Sequence, residues 1–111
     1  MKRTIKIDQP MIDRYGQING DNDIIHYDHE YAVKRGFRGT LAHGLMELGF
    51  AVDLAAKKWG RDWHYRGEID VRFVGPLFPQ DDLTIEVEQG KVTAHTPSGE
   101  TMKGWIGLRP E

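Results

Sequence analysis

The second half of the chain alternates between apolar and polar positions. From residue 64 onward a period of two recurs, most clearly in 68–73 and 82–88, where three apolar side chains share one face and polar, mostly charged side chains the other. Strict alternation predicts strands with one buried face, as in an antiparallel sheet. Gln89 and Gly90 predict a tight hairpin, and a Pro-Ser-Gly-Glu run predicts a further turn. The predicted strands cover residues 4–8, 68–73, 82–88, 91–95 and 101–108.

Residues 42–59 form a segment of a different kind, because their apolar side chains cover most of a helical wheel. A helix of this length spans about 27 Å. A helix that is apolar on nearly all sides must be enclosed, and the antiparallel sheet is the available partner. Gly49, inside this helix, predicts close approach of a neighbouring backbone. Shorter helices are predicted over about 10–15 and over 28–34.

These elements predict an α+β fold in which a curled antiparallel sheet wraps a long central helix. A chain of 111 residues allows one domain, over residues 1–111, with a small core that favours association with a second copy. The chain has 15 basic and 17 acidic side chains, a net charge of −2, and no basic cluster. We therefore expect no nucleic-acid partner.

Several further classes are excluded by composition. The chain contains no cysteine, which rules out disulfides, thiolate metal sites and a cysteine nucleophile. No apolar run approaches the roughly 20 residues needed to span a bilayer. The first residues become charged too soon for a signal peptide. The expectation is a cytoplasmic protein without a membrane partner.

The polar residues that could carry chemistry concentrate between the first strand and the central helix. Asp21 and His26 lie five positions apart in a loop, a spacing that can bring both side chains onto one small molecule. A carboxylate and an imidazole that share a water molecule can act as an acid–base pair near neutral pH. Gly44 lies in the first turn of the central helix, where its N–H lacks a helical acceptor and could stabilise a developing oxyanion.

Around these residues the sequence resembles the MaoC-like, (R)-specific enoyl-CoA hydratase family. A Gly-Asp-x(4)-His core, a Gly-rich loop that enters the helix through Ala-His-Gly over 36–45, and a later segment over 72–83 resemble three landmarks of that family in order. The resemblance covers about residues 4–108. The positions that match the family's hydratase signature are Tyr15, Ile18, Gly20, Asp21, Ile25, His26 and Asp28.

The resemblance implies a hot-dog fold, in which a sheet wraps a central helix, and a homodimer or dimer of dimers. It also implies that Asp21 and His26 activate water for (R)-specific addition to a trans-2-enoyl thioester, in an order the sequence leaves open. The Gly44 N–H would bind the thioester oxygen. The substrate would be an acyl-CoA or acyl-carrier thioester, with no separate cofactor and no metal. The expected substrate-binding residues are Asp23, His43 and Leu45.

One departure from the family's signature lies inside the loop. Asp23 and Ile24 stand where the signature has Asn-Pro, and Asn19 replaces a small hydroxyl residue. An ionised Asp offers only acceptors, whereas Asn offers a donor as well. A second carboxylate near Asp21 is expected to raise one of the two pKa values. This departure could tune the base, suit a polar acyl chain, or mark a loss of hydratase activity.

Two other functions remain open. A hot-dog thioesterase would use the carboxylate to direct water at the thioester carbonyl, and a non-catalytic domain would only bind an acyl thioester. A metal site built from His26, Asp28 and His29 is a further alternative, but the signature explains the first two of these residues without a metal. His43 is expected chiefly to hold the loop by hydrogen bonding.

Overall fold

The computed structural model describes residues 1–88 and 90–110 as five strands, four α-helices and a 3₁₀ turn over Ile24–His26. In chain order the helices and strands are β1 (Lys2–Lys6), α1 (Gln9–Asn19), α2 (His29–Lys34), α3 (Gly44–Trp59), α4 (Arg61–Arg66), β2 (Gly67–Phe73), β3 (Asp82–Glu88), β4 (Lys91–Thr96) and β5 (Gly99–Leu108). Every predicted strand is present, although β1 begins and ends two residues before the predicted 4–8. The predicted hairpin includes Gln89, which lies outside the described residues.

The five strands form one antiparallel sheet in the order β1-β3-β4-β5-β2. On β3, Leu83, Ile85 and Val87 are fully buried, so the inner face inferred from alternation is confirmed. The sheet is open, with β1 and β2 as its two edges. The α+β class is therefore confirmed, while the sheet does not close around the helix.

Helix α3 packs into the main core through one face only. Ala51, Leu54 and Ala55 are buried in the same apolar cluster as the inner side chains of β3 and β4. On another face, Leu45 is 59% exposed, and, apart from the nearby backbone of the helix itself and the two adjacent residues, no atom of the described chain lies within 4 Å of a Cβ built on Gly49. The expected close approach at Gly49 is thus absent within this chain. The helix keeps an apolar face that the sheet leaves uncovered.

Helix α1 is longer than the sequence predicted. The Asp8 carboxylate accepts a hydrogen bond from the Met11 N–H (2.9 Å) at its start, and Gly20, in the left-handed conformation (φ 75°), ends it. Gly16 is a poor helix former, but here it is buried, and a Cβ at this position would clash with the Tyr27 hydroxyl. Tertiary packing therefore extends the helix past a position where local propensity favours an end.

Helix α4 was not predicted from the sequence. It extends into the segment, from residue 64 onward, whose alternating pattern predicted strands. Gly60 (φ 57°) separates α3 from α4, and Trp63 stacks on Trp59 with ring centroids 5.8 Å apart. In β2, which lies at the sheet edge, Phe73 is 49% exposed although alternation places it on the inner face. An edge strand has only one neighbour to cover its side chains. None of the helices in the described chain is long and apolar enough to cross a membrane.

Candidate active site

Asp21 and His26 meet in the loop that follows α1. The Asp21 Oδ2 atom lies 3.4 Å from His26 Nε2. Hydrogen bonds between residues two positions apart shape the loop: the Asp23 N–H donates to Asp21 Oδ1 (3.0 Å), and the Ile25 N–H donates to Asp23 Oδ1 (3.1 Å). Such Asx turns fix a backbone without a helix or a sheet. The predicted proximity of the carboxylate and the imidazole is present.

A backbone carbonyl decides which nitrogen of His26 carries a proton. His26 Nδ1 lies 2.8 Å from the Leu41 carbonyl oxygen, which can only accept, so Nδ1 donates. In the neutral ring, Nε2 then presents a lone pair toward the Asp21 carboxylate. Two acceptors 3.4 Å apart do not bond to each other, but one water molecule can donate to both. The arrangement is suited to holding a water by its two protons.

His43 is the third polar ring at this site. Its side chain is 3% exposed, and its ring stacks on that of His26 with centroids 3.9 Å apart. The Tyr27 hydroxyl donates to the Asp21 backbone carbonyl, so His43 Nε2, 3.2 Å away, donates to the Tyr27 oxygen. His43 Nδ1 is buried and has no hydrogen-bond partner among the described residues. His43 thus holds the loop, as the sequence suggested, and it also supports His26.

The surroundings of the pair keep Asp21 ionised. The hydrogen bond from the Asp23 N–H is the largest influence that holds the pKa of Asp21 below its ordinary value, with smaller contributions from His26 and His43 and an opposing one from partial burial. The expected rise from a second carboxylate is therefore wrong for Asp21, because Asp23 acts on it mainly through its backbone. Burial lowers the pKa of His43, which favours its neutral form. Burial also raises the pKa of Tyr27, which keeps the phenol protonated.

Gly44 is the first residue of α3, and His43 precedes it as the N-cap. The described residues contain no backbone acceptor for the Gly44 N–H. A Cβ at this position would lie 3.1 Å from the Phe73 ring, so glycine permits the close approach of that ring. Gly44 lines a depression of about 200 Å³ together with Leu41, Ala42, Glu47, Phe73, Gly75, Pro76 and Leu77.

Asp21 opens onto a different depression, of about 420 Å³. The other residues that line it are Gln9, Asp13, Gly16, Gln17, Asn22 and Tyr27. The two sets share no residue, so within one protomer the acid–base pair and the Gly44 amide face separate openings. His43 links them, because it contacts the pair through its ring and precedes Gly44 in the chain.

The three expected substrate-binding residues differ in their positions relative to the Asp21–His26 pair. His43 contacts the acid–base pair directly. Asp23 is exposed, and its carboxylate caps the 3₁₀ turn that carries His26. Leu45 lies at the exposed start of α3, next to Gly44. Within the described chain, the fold therefore brings only His43 to the pair.

Sequence reasoning missed two residues. Tyr27 connects the Asp21 backbone to His43, and its position next to His26 in the chain is the signal that could have found it. Glu47 is 2% exposed, and burial raises its pKa to about 7, against a hydrogen bond from Thr101 that lowers it. A charged residue on a helix gives no sequence signal of burial, so its position could be learned only from the fold.

A metal would find three potential ligands here, one atom each from Asp21, His26 and His43, all within 4.8 Å of one another. Zinc requires nitrogen lone pairs that converge on a point about 2.0–2.1 Å away. The two imidazole planes are stacked and tilted by only 25°, and His43 Nε2 donates toward Tyr27. The alternative ligands from the sequence are elsewhere, since Asp28 caps α2 and His29 is exposed. The geometry suits a water-holding pair better than a metal.

The fold and the site define a hot-dog domain with a carboxylate–imidazole pair beside the start of its central helix. The model of the family described as the MaoC like domain matches residues 1–106. The chain therefore belongs to the MaoC-like domain family, as its motifs indicated.

Several known proteins resemble the chain in sequence or in fold. The peroxisomal multifunctional enzyme type 2 of Drosophila melanogaster is 30% identical over 90 residues, which are 78% of this chain and 15% of that enzyme. The chain thus spans a small part of this relative. A MaoC-like dehydratase from Phytophthora capsici is 24% identical, with a TM-score of 0.80 over 100% of this chain and 40% of the other.

A third similar structure is an (R)-hydratase from A. caviae involved in PHA biosynthesis. It is 15% identical, with a TM-score of 0.74 over 98% of this chain and 93% of the other. At this level of identity the likeness shows the fold.

Proposed function

We propose that the protein catalyses (R)-specific hydration of a trans-2-enoyl-CoA or related acyl thioester, and the reverse dehydration. The observation that carries this proposal is the 3.4 Å approach of Asp21 Oδ2 to His26 Nε2, with Nδ1 of His26 committed to the Leu41 carbonyl. Family membership and the fold shared with an (R)-hydratase support the same reaction class.

In the proposed reaction, a water molecule donates its protons to Asp21 and His26 and points an oxygen lone pair at C3 of the substrate. As the oxygen bonds to C3, His26 Nε2 takes one proton, and the Asp21 carboxylate stabilises the resulting imidazolium. The electrons of the C2=C3 bond move onto the thioester oxygen. When that oxygen returns them, the same nitrogen delivers its proton to C2 on the same face. Asp21, with its lowered pKa, serves as the charged partner rather than the final base.

The thioester oxygen is assigned to the Gly44 N–H, at the positive end of the α3 dipole. A preorganised donor there is worth roughly 3–4 kcal/mol in comparable oxyanion sites. Because the pair and Gly44 line separate depressions, the substrate must pass over His43 to reach both. The small volume of the depression at Gly44, about 200 Å³, favours a short acyl group.

The proposal includes assembly as a homodimer or a dimer of dimers. The sheet has two open edges, and exposed apolar side chains lie at both the start of α3 and the end of β2. These side chains are Leu45, Phe73 and Val74. A second copy that covered them would also enclose the depression at Gly44, which Phe73 borders.

A hot-dog thioesterase remains the second candidate, and one observation favours it. Glu47, unlike Asp21, lines the same depression as Gly44. A carboxylate there could direct water at a thioester carbonyl. A non-catalytic acyl-thioester-binding domain is the third possibility.

One assay separates these functions. The protein is mixed with crotonyl-CoA, and the loss of conjugated-enoyl absorbance and the release of free thiol are followed together. The expected result is enoyl loss without thiol release. Thiol release would instead establish a thioesterase. If crotonyl-CoA binds but neither change is observed, the protein is a non-catalytic binding domain.

A further inference from the structure

Glu47 is a buried carboxyl group that the proposed mechanism does not use. It lies in the first turn of α3, three residues after Gly44, and is 2% exposed. The Thr101 hydroxyl, on β5, donates a hydrogen bond to its Oε1 atom. The described residues provide no hydrogen bond to its Oε2 atom. The fold thus buries a carboxyl group and pairs only one of its two oxygens.

Glu47 also lines the depression at Gly44. The other side chains of that depression are apolar: Leu41, Ala42, Phe73, Pro76 and Leu77. Glu47 is therefore the single titratable group among its lining residues. A wholly alkyl ligand in this space would desolvate the unpaired oxygen without replacing its lost hydrogen bond, which is unfavourable. A ligand that carries a donor would pair it.

We propose that Glu47 determines acyl specificity, by accepting a hydrogen bond from a hydroxyl or amide group on the acyl chain of the thioester. This inference rests on the proposed function, because it assumes that Gly44 holds the thioester carbonyl. The substrate class is a short 2-enoyl thioester with a polar group near its end. In this proposal Glu47 selects the substrate, whereas Asp21 and His26 activate the water.

The helix sets where that polar group must lie. Gly44 and Glu47 are three residues apart on α3, which corresponds to a rise of about 4.5 Å along the helix. A helical side chain leans toward the N-terminus of its helix, so the Glu47 carboxyl points back toward Gly44. With the carbonyl at Gly44, a donor on C4 or C5 of the acyl chain falls within reach of Glu47.

The test compares two thioesters that differ by one hydroxyl group, trans-2-pentenoyl-CoA and 5-hydroxy-trans-2-pentenoyl-CoA. Hydration is followed for both with the wild type and with Glu47→Leu and Glu47→Gln. We expect the wild type to prefer the hydroxylated ester in kcat/KM by at least about tenfold. Glu47→Leu should lose or reverse that preference, and Glu47→Gln, which keeps an acceptor oxygen, should retain part of it.

A merely structural role for Glu47 would give a different result, because destabilisation lowers the rates with both esters and leaves their ratio unchanged. An unchanged ratio in Glu47→Leu, or no preference in the wild type, would overturn the inference. Circular dichroism checks that each variant is folded. If Glu47→Leu fails to fold, the comparison rests on Glu47→Gln, whose preference must then be weaker than that of the wild type.

A binding measurement distinguishes failure of this inference from failure of the proposed function. Isothermal titration with the saturated esters pentanoyl-CoA and 5-hydroxypentanoyl-CoA does not depend on catalysis. If neither enoyl ester is hydrated, the hydratase proposal fails, while tighter binding of the hydroxylated ester that is lost in Glu47→Leu still supports the assignment of Glu47. Equal affinities of the wild type for both esters, or binding of neither, would overturn it.

Discussion

At the level of single residues, the proposed chemistry depends on the hydrogen bond between His26 Nδ1 and the Leu41 carbonyl. This contact fixes the neutral tautomer and aims the Nε2 lone pair at the space beside Asp21. Ile25 and Leu41 are also joined through their backbones (3.1 Å), so the two loops are held in register at this point. The Asp21–His26 pair is therefore positioned in part by backbone contacts outside its own loop.

We expect Asp21→Asn and His26→Ala each to lower kcat by at least about a hundredfold, the usual scale for a general acid–base group. The amide of Asn has no charge to stabilise an imidazolium, and alanine has no proton acceptor. Steady-state hydration of crotonyl-CoA measures both. Asp53→Asn and His64→Ala, which change the same residue types outside the two depressions, are the controls and should stay near the wild-type rate. A near-normal rate in either site variant would remove that residue from the mechanism.

Glu47 should make the stability of the protein depend on pH. Its pKa in the folded protein is raised to about 7 from an ordinary 4.5. Between these values the folded state binds more protons than the unfolded state, so the free energy of unfolding falls as pH rises from about 4.5 to 7, by up to about 3 kcal/mol.

Urea denaturation of the wild type and of Glu47→Gln, at pH 5 and at pH 7.5, measures this effect. The stability of the wild type relative to Glu47→Gln should be greater at pH 5, because the neutral amide cannot ionise. The same difference at both pH values would show that Glu47 does not titrate in this range.

At the level of elements, Tyr27 connects the end of α1 to the start of α3. Its ring packs on Gly16 of α1, and its hydroxyl donates to the Asp21 carbonyl and accepts from His43, the N-cap of α3. Within the described part of the chain, the N-cap of α3 makes no side-chain capping hydrogen bond. The relative placement of the two helix ends, and with it that of Asp21 and Gly44, therefore relies on this tyrosine.

Tyr27→Phe should lower the free energy of unfolding by about 1–3 kcal/mol, because it leaves a buried donor on His43 without a partner. It should lower kcat by less than Asp21→Asn does, since no group of the reacting pair is lost. Chemical denaturation and crotonyl-CoA kinetics measure the two effects. Tyr31→Phe is the matched control: among the described residues its exposed hydroxyl bonds only to Arg35, at 3.4 Å, and its loss should cost less than about 0.5 kcal/mol. Equal stabilities of the two variants would contradict this role for Tyr27.

At the level of the whole molecule, the uncovered side of α3 and the open edge at β2 point to a partner. A monomer would leave Leu45, Phe73 and Val74 in water together with an unpaired strand edge. Natural proteins seldom leave such an edge free, because it can pair with another chain. A second copy that packs on this side would bury these side chains and shield the Gly44 depression from water.

Sedimentation velocity at micromolar concentration should show a species of at least twice the 12.7 kDa mass of the chain. Leu45→Glu should shift it toward monomer, because a charge would be buried at the contact without a partner. Val33→Glu, at an exposed apolar position on α2, is the control and should leave the mass unchanged. A stable wild-type monomer would contradict the assembly.

The sequence by itself determined the elements whose signal is local. Alternation located β3, with its three fully buried side chains, and the apolar wheel located α3, because period and burial follow directly from which side chains avoid water. The Gly-Asp-x(4)-His spacing also predicted the meeting of Asp21 and His26, because the two residues share one short loop whose backbone is shaped by local Asx turns, although the Leu41 carbonyl sets the orientation of the His26 ring.

Only the tertiary structure decided the features that depend on distant contacts. Gly16 stays within α1 because Tyr27 packs on it, Glu47 is buried because Thr101 lies opposite it on β5, and the exposure of Phe73 follows from the position of β2 at the sheet edge. Likewise, only the tertiary structure places Asp21 and Gly44 in two separate depressions. Each of these depends on residues far apart in the chain, whose proximity no local pattern encodes.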